Sequence, residues 1–320
     1  MKVSVVMSVY NADRYVKGSV ESILGQTFSD LEFIIINDGS TDGSGEILSS
    51  FHDPRIKLIH QKNQGLIRSL NTGVRMARGE YIARQDADDL SLPERIEKQV
   101  AFLDTHKNVA LVGTASVHMT EYGKDVKVYR LPLSDEEIKK ALINNDIPIN
   151  HGSMMCRRKV LEEAGCYREK LDLVEDYDLY FRIGENHVMA NLEEPLYKSR
   201  VHSSSVCAVN RFEINRRYEL VRKLAEERRV KGKDSLADMT EADIDKFLKA
   251  GLPAWSFDKR RTLARNRLFL AEGLYLTRSF TGALSKLGLS IMTWPFSLRA
   301  WVLLLKLFVA WAVPQKSKDA

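Results

Sequence analysis

At 320 residues, 44% hydrophobic and 28% charged, the chain exceeds one average domain and has a globular composition, which excludes a disordered or fibrous protein. Its net charge of +5 is uneven: residues 206–320 hold 22 Lys or Arg against 12 Asp or Glu, whereas residues 1–205 hold 26 against 31. A mildly acidic first part followed by a basic second part suits an anionic surface or substrate near the latter, and nothing in the pattern marks a nucleic-acid partner.

Lys2 to Tyr10 is nearly continuous in apolar residues, as a strand covered on both faces is. The run Val3 to Val9 is too short for a signal peptide. Asn11-Ala12-Asp13 starts a helix with Val16, Val20, Ile23 and Leu24 at helical spacing. Leu31 to Ile36 is a second strand ending in the turn-rich Asn37-Asp38-Gly39-Ser40-Thr41-Asp42, where Asp38 can cap the next helix or meet a ligand. Ile56 to Ile59 is a third strand and Leu66 to Ala77 a third helix, opened by Asn63-Gln64-Gly65, whose backbone N–H groups can face an anion. Strands and helices alternating across short loops predict a parallel sheet with its ligand site outside the carboxyl ends of the strands. The first turn, Ser8-Val9-Tyr10-Asn11, contains no glycine, and no G-x-x-x-x-G-K-[ST] occurs, so nicotinamide and P-loop chemistry are excluded.

Tyr81-Ile82-Ala83 reads as a buried strand running into the loop Gln85-Asp86-Ala87-Asp88-Asp89. Three carboxylates within four positions repel one another unless a counter-charge is present. A hard divalent cation, Mg²⁺ or Mn²⁺, supplies one when it takes one or two carboxylates and shares substrate phosphates. A solvated turn capping the helix at Ser91-Leu92-Pro93-Glu94 also accounts for the acids. Val109 to Gly113 and Val126 to Leu131 are strands, and Ser134-Asp135-Glu136-Glu137 is a capping box for a helix ending near Ile143. Asn150 to Met155 is a loop entering a strand, with His151 either structural or facing the site. Arg157 to Gly165 is a helix. Glu175 and Asp176 open another, where a carboxylate either answers the helix dipole or serves as a general base.

Beyond residue 205 the chain reads as helices: Phe212 to Val230, a short one from Thr240, then Leu263 to Leu276 and Thr281 to Met292. Ser297 to Val313 carries Trp301, Trp311 and many aliphatic residues interrupted by Lys306. It is shorter than the ~20 apolar residues of a span, so it either lies in a membrane interface or packs on the preceding domain or a second copy in a homodimer. Cys156, Cys166 and Cys207 show neither metal-ligand spacing nor a disulfide framework, which fits a reducing cytoplasm.

Five segments together resemble a family 2 glycosyltransferase of the GT-A fold. They are Val5-Val6-Met7-Ser8-Val9-Tyr10-Asn11, Asn37-Asp38-Gly39-Ser40-Thr41-Asp42, Asn63-Gln64-Gly65-Leu66, Gln85-Asp86-Ala87-Asp88-Asp89 and Glu175-Asp176-Tyr177-Asp178-Leu179, in the family's order across residues 1–205. The resemblance implies an α/β, Rossmann-like, mixed and mostly parallel sheet with helices on both faces, forming a catalytic domain over 1–205. A basic helical region over 206–320 follows, with an amphipathic terminal helix. It implies that Asp38 reads the nucleotide base, that Asp86 and Asp88 are the D-x-D handling ribose and metal, and that Asp176 is the catalytic base. Ser8, Tyr10, Asn11, Asn63, Gly65 and Ala87 are expected around the nucleotide sugar, and His202 beside Asp88 on the metal. The implied reaction is inverting transfer of one sugar from a nucleoside-diphosphate sugar, UDP-linked by expectation, to a glycan or lipid-linked acceptor at the inner face of the membrane, in cell-surface polysaccharide or glycolipid assembly. The Gln-x-x-Arg-Trp of the family's processive members is absent, which favours single transfer. The rivals are a sugar-nucleotide pyrophosphorylase, whose glycine-rich, arginine-bearing first turn is missing, and a non-catalytic sugar- or lipid-binding protein.

Overall fold

The computed structural model describes residues 1–201, 211–250, 268, 271, 280–293, 295 and 297–312. The chain divides into two compact units: residues 1–119, 125–200 and 217–239 form the first, and residues 120–124, 201–216 and 240–320 the second.

The first unit is built on a mixed sheet. Strands β1 (Val3–Val9), β2 (Leu31–Asp38), β3 (Ile56–Gln61) and β4 (Tyr81–Asp86) are parallel in the order β3-β2-β1-β4. The sheet continues from β4 through β8 (Met155–Arg157), β6 (Val109–Thr120) and β9 (Val188–Val201) to the two-residue β5 (Leu90–Ser91). β8 runs antiparallel to both β4 and β6, β5 is antiparallel to β9, and β7 (Asp125–Tyr129) pairs antiparallel with β6.

Both faces of the parallel half are covered, and this is why its strands are apolar at successive positions. Val3, Val5, Met7 and Val9 pack with Val16, Val20 and Ile23 of α1 (Val16–Leu24) and with Ile96, Val100 and Leu103 of α4 (Arg95–Thr105). The opposite face meets α3 (Leu66–Met76), where Gly73 lies so close to Val6 that a Cβ there would stand 2.4 Å from its Cγ1. Each of these aliphatic side chains contributes roughly 1.5–3 kcal/mol by leaving water.

Several boundaries differ from the sequence expectation. α1 starts at Val16 rather than at Asn11, because Asn11 takes a left-handed φ of 49° and the turn 11–13 is consumed in hydrogen bonds to the next loop. β4 extends to Asp86, since the pairing of Ser8 with Asp86 holds Arg84, Gln85 and Asp86 in the ladder. β5 and β9 were not anticipated: β9 carries Glu193-Glu194-Pro195 in its middle, which breaks an apolar pattern. α2 (Ser44–Ser49), α5 (Asp135–Asn144, with the expected capping box on Ser134) and α6 (Arg158–Glu163) complete the connections before α7 (Glu175–Asn186).

The long helix α8 (Arg211–Lys231) enters the first unit from Arg217 onward. It is held by a charge chain centred on buried Asp178: Asp178 pairs with Arg168 and Arg182, Arg168 with Asp234, and Asp234 with Arg228, which also meets Glu185. In the second unit, α9 (Glu241–Lys249) opens with a capping box on Thr240. α10 (Phe280–Thr293) and α11 (Leu298–Ala312) pack on each other through Ala283, Leu287, Ala300, Leu303 and Leu307. Among the described residues no helix is long and apolar enough to cross a membrane. The helix expected over Leu263 to Leu276 lies almost wholly outside the described residues.

Candidate active site

The strand register sets one end of the site. Ser8 pairs with Asp86 on one side and Ile36 on the other, so the ends of β1, β2 and β4 lie level and Asp38 and Asp86 face the same edge of the sheet. The loops after β1 and β2 are stitched together there. Asn11 Oδ1 accepts from Thr41 N (2.8 Å), Asn11 N donates to Ser40 Oγ (3.1 Å), and Ala12 N donates to Ser44 Oγ (2.8 Å). Gly39 permits the close approach of the next loop: its φ is 71°, and a Cβ would stand 2.6 Å from Asn63 N.

Asp38 is buried and does not cap α2, which starts under Gly43 with Asp42 accepting from Ser44 N. Its carboxylate holds the third loop instead. Oδ1 accepts from Gln61 Nε2 (2.7 Å) and Gln64 N (2.9 Å), and Oδ2 accepts from Gly65 N (2.8 Å). The anion met by the backbone N–H groups of Gln64 and Gly65 at the start of α3 is therefore Asp38. Three hydrogen bonds leave the carboxylate about one further lone-pair position for a ligand N–H. Asn63 and Gly65 are exposed around it, and Tyr10 is 52% exposed at the rim.

The acidic loop divides into unlike members. Asp86, a third exposed, forms an ion pair with Arg84, whose NH1 is 2.5 Å from its Oδ1. Asp88 is half-buried, and its carbonyl accepts from Arg200 Nε (2.7 Å). Asp89 is buried and accepts from Arg200 N (2.6 Å), tying the loop to β9. Burial, with Asp88 and Asp86 nearby, raises its proton affinity well above that of an ordinary aspartate. Asp89 is thus a strut of the loop.

Beneath the loop lies a polar network. Ser91 Oγ donates to Gln85 Oε1 (2.7 Å), and fully buried Arg95 donates to the Arg84 carbonyl (2.8 Å) and to Ser91 Oγ (2.8 Å). Tyr197 of β9 accepts from Asp86 N (3.2 Å). The turn His151–Ser153 presses against the same place: a Cβ on Gly152 would stand 2.1 Å from Tyr197 Oη and 2.6 Å from Asp86 Oδ2.

His151 Nε2 shares a hydrogen bond with Tyr167 Oη (2.8 Å), and its Nδ1 is 3.8 Å from Glu175 Oε1. Burial, with the Arg84 cation nearby, keeps its proton affinity well below the ordinary histidine range. A neutral ring here orients its neighbours. Glu175 is buried with Oε2 unpartnered. Desolvation first and adjacent Asp176 second push it up to about 8. Asp176 accepts from Tyr177 N through Oδ1 (2.7 Å), and desolvation raises it to about 6 against the lowering pull of that bond and of Arg84. Asp178 lies about 200° further round the helix. It is fully buried between Arg168 and Arg182, away from the pair.

Arg84 is the residue that sequence reading passed over. Only 4% exposed, with Nε lacking an acceptor, it lies in the electrostatic neighbourhood of Asp86, Glu175, Asp176 and Tyr167. A signal existed: an arginine following Tyr81-Ile82-Ala83 in a buried strand requires a carboxylate partner. The structure thus gathers Ser8, Asn11, Asp38, Asn63, Gly65, Asp86, Ala87 and Asp88 along the sheet edge, with Asp176 within electrostatic reach of Arg84 and Asp86. His202 lies outside the described residues. Among the described residues no cluster of three or more His, Cys, Asp or Glu side chains forms a ready metal cage. The oxygen donors of Asp86 and Asp88 nonetheless fit a hard divalent cation, which takes one or two carboxylates and completes its shell with phosphate and water.

Residues 4–165 match the family model Glycosyl transferase family 2. The putative glycosyltransferase EpsE of Bacillus subtilis is 40% identical over 211 residues, 64% of this chain and 74% of that protein. The amylovoran biosynthesis glycosyltransferase AmsE of Erwinia amylovora is 34% identical over 210 residues, 63% of this chain and 77% of that protein. Among solved structures, S. aureus TarS 1-349 in complex with UDP-GlcNAc superposes with a TM-score of 0.55 at 17% identity, covering 92% of this chain and 89% of that one. The mannosyltransferase PcManGT of Pyrobaculum calidifontis, in complex with GDP-Man and Mn²⁺, superposes with a TM-score of 0.52 at 18% identity, covering 97% and 80%. The structural likenesses establish the fold, the sequence matches establish kinship, and the chain belongs to glycosyl transferase family 2.

Proposed function

We propose that the protein is an inverting, metal-dependent glycosyltransferase that moves one sugar from a nucleoside-diphosphate sugar to an acceptor hydroxyl. The observation that carries the reading is the strand register, which sets Asp38 and Asp86 at one edge of the sheet, with Asp176 within electrostatic reach of Asp86 and Arg84. Asp38 offers its remaining lone pair to a base N–H, and Asn11 and the loop after β2 enclose the nucleoside. Asp88 would hold a divalent cation, with His202 as a further ligand in this reading. When bound, that cation supplies positive charge for the diphosphate as its bond to the sugar breaks. Asp176 takes the acceptor's proton as the hydroxyl attacks the anomeric carbon in line, inverting its configuration. Neutral Glu175 adds no like charge next to that base.

UDP-sugars are the first donors to test. The UDP-GlcNAc in TarS supports them, and the GDP-Man in PcManGT names the competing class. The name of AmsE supports a role in polysaccharide assembly, and the reading places there a glycan or lipid-linked acceptor at the inner face of the membrane. Thermal-shift screening of nucleotide sugars with Mn²⁺, followed by nucleoside-diphosphate release with and without acceptor, tests the reading. A protein that neither shifts with any nucleotide sugar nor releases diphosphate would overturn it.

A further inference from the structure

Both α10 and α11 have two apolar faces. One face of each is consumed in their mutual packing. On the other side Met292 is 83% exposed, Leu298 77% and Leu305 67%, with Leu284, Trp301 and Val302 also exposed. On α11 these exposed residues lie roughly 160° around the helix from buried Ala300, Leu303 and Leu307, so they form a separate stripe.

Charge selects the occupant. From Phe280 to Ala312 there is no Asp or Glu, while Lys286, Arg299 and Lys306 are cationic. A contact with a second copy through this face would bring cations from both copies and no acid from the α10 or α11 of either. An anionic lipid surface answers both the apolar stripe and the cations. Trp301 fits such an interface, with its indole N–H donating to the Pro295 carbonyl (2.8 Å) and nearly half its surface outward. At 15 residues α11 is about 22 Å long against a hydrocarbon core of about 30 Å, so it lies along the surface and does not cross it. We propose that the outward face of α10 and α11 docks on an anionic membrane surface, with Met292, Leu298, Trp301 and Leu305 entering the acyl boundary. The proposal concerns binding alone and stands apart from the transfer reaction.

The test uses the full chain and vesicles of phosphatidylcholine with and without phosphatidylglycerol, at low and high salt, read by co-sedimentation. Binding to the anionic vesicles at low salt should exceed that to neutral ones by at least ~10-fold and weaken with salt. Met292→Glu combined with Leu305→Glu should weaken it by at least ~10-fold with an unchanged thermal transition, because both side chains are exposed. Lys286→Glu with Lys306→Glu should erase the preference for anionic lipid. Wild-type protein that ignores anionic vesicles at low salt overturns the proposal. So does an apolar double variant that binds as wild type, or one whose only change is loss of a dimer, which would give the face to a second copy.

Discussion

Replacing Asp176 by Asn tests the catalytic assignment with the least structural disturbance. The Oδ1 that accepts from Tyr177 N at 2.7 Å persists in asparagine, so the side chain should stay fixed and α7 should keep its first turn. What disappears is the capacity to accept a proton. General-base assistance is worth typically 10²–10⁴-fold, so turnover should fall by at least ~10²-fold, a barrier increase of about 2.7 kcal/mol. The dissociation constant for the nucleotide sugar, measured by calorimetry, should change little, because the loss falls on the transition state. The wild-type pH profile supplies a second magnitude. With Asp176 at about 6 the base is about nine-tenths ionised at pH 7, and the rate should rise with pH through an acid limb near 6. Diphosphate release followed from pH 5 to 9 reads both quantities. A variant turning over near the wild-type rate would refute the assignment, and a limb near 8 that vanishes in Glu175→Gln would transfer the role to Glu175.

Asp178→Asn should act on stability: with Arg168 and Arg182 left partly uncompensated in the interior, about 3 kcal/mol should be lost in denaturant unfolding, while the folded protein keeps a rate within about tenfold of wild type. A rate collapse without a stability loss would contradict the burial argument. Glu175 remains protonated up to about 8 in the folded chain and loses its proton near 4.5 when unfolded, so the native state holds the extra proton between these values and stability falls as pH rises through them. Glu175→Gln mimics the neutral form, and its melting temperature should fall less than that of wild type from pH 6 to pH 9; parallel decline would refute the raised value. Chelation should weaken donor binding strongly, with recovery in Mn²⁺ or Mg²⁺, and Asp88→Asn should abolish that response; full turnover in chelator would remove the metal from the scheme.

The sequence by itself determined the parallel half of the sheet. Continuous apolar runs in β1 and β2 demand cover on both faces, and short turn-rich loops place Asp38 and Asp86 at strand ends, whatever the rest of the chain does. The capping box at Ser134 was equally local, because its partners are three residues apart. What depended on residues distant in the chain was decided by the tertiary structure. Whether Asp38 caps its own helix or binds the loop at 63–65 turns on β3 lying next to β2. The acids 86, 88 and 89 are adjacent in sequence, yet they meet Arg84, Arg200 and Tyr197, two of which come from a strand more than a hundred residues away with no apolar pattern to announce it. Glu175 and Asp176 look alike as first-turn carboxylates. Their proton affinities separate because burial strips water from both, while the Asp176 charge pushes Glu175 further up and the Tyr177 N–H holds Asp176 down. Electrostatics of this kind depends on distance and desolvation, and only the folded chain sets either.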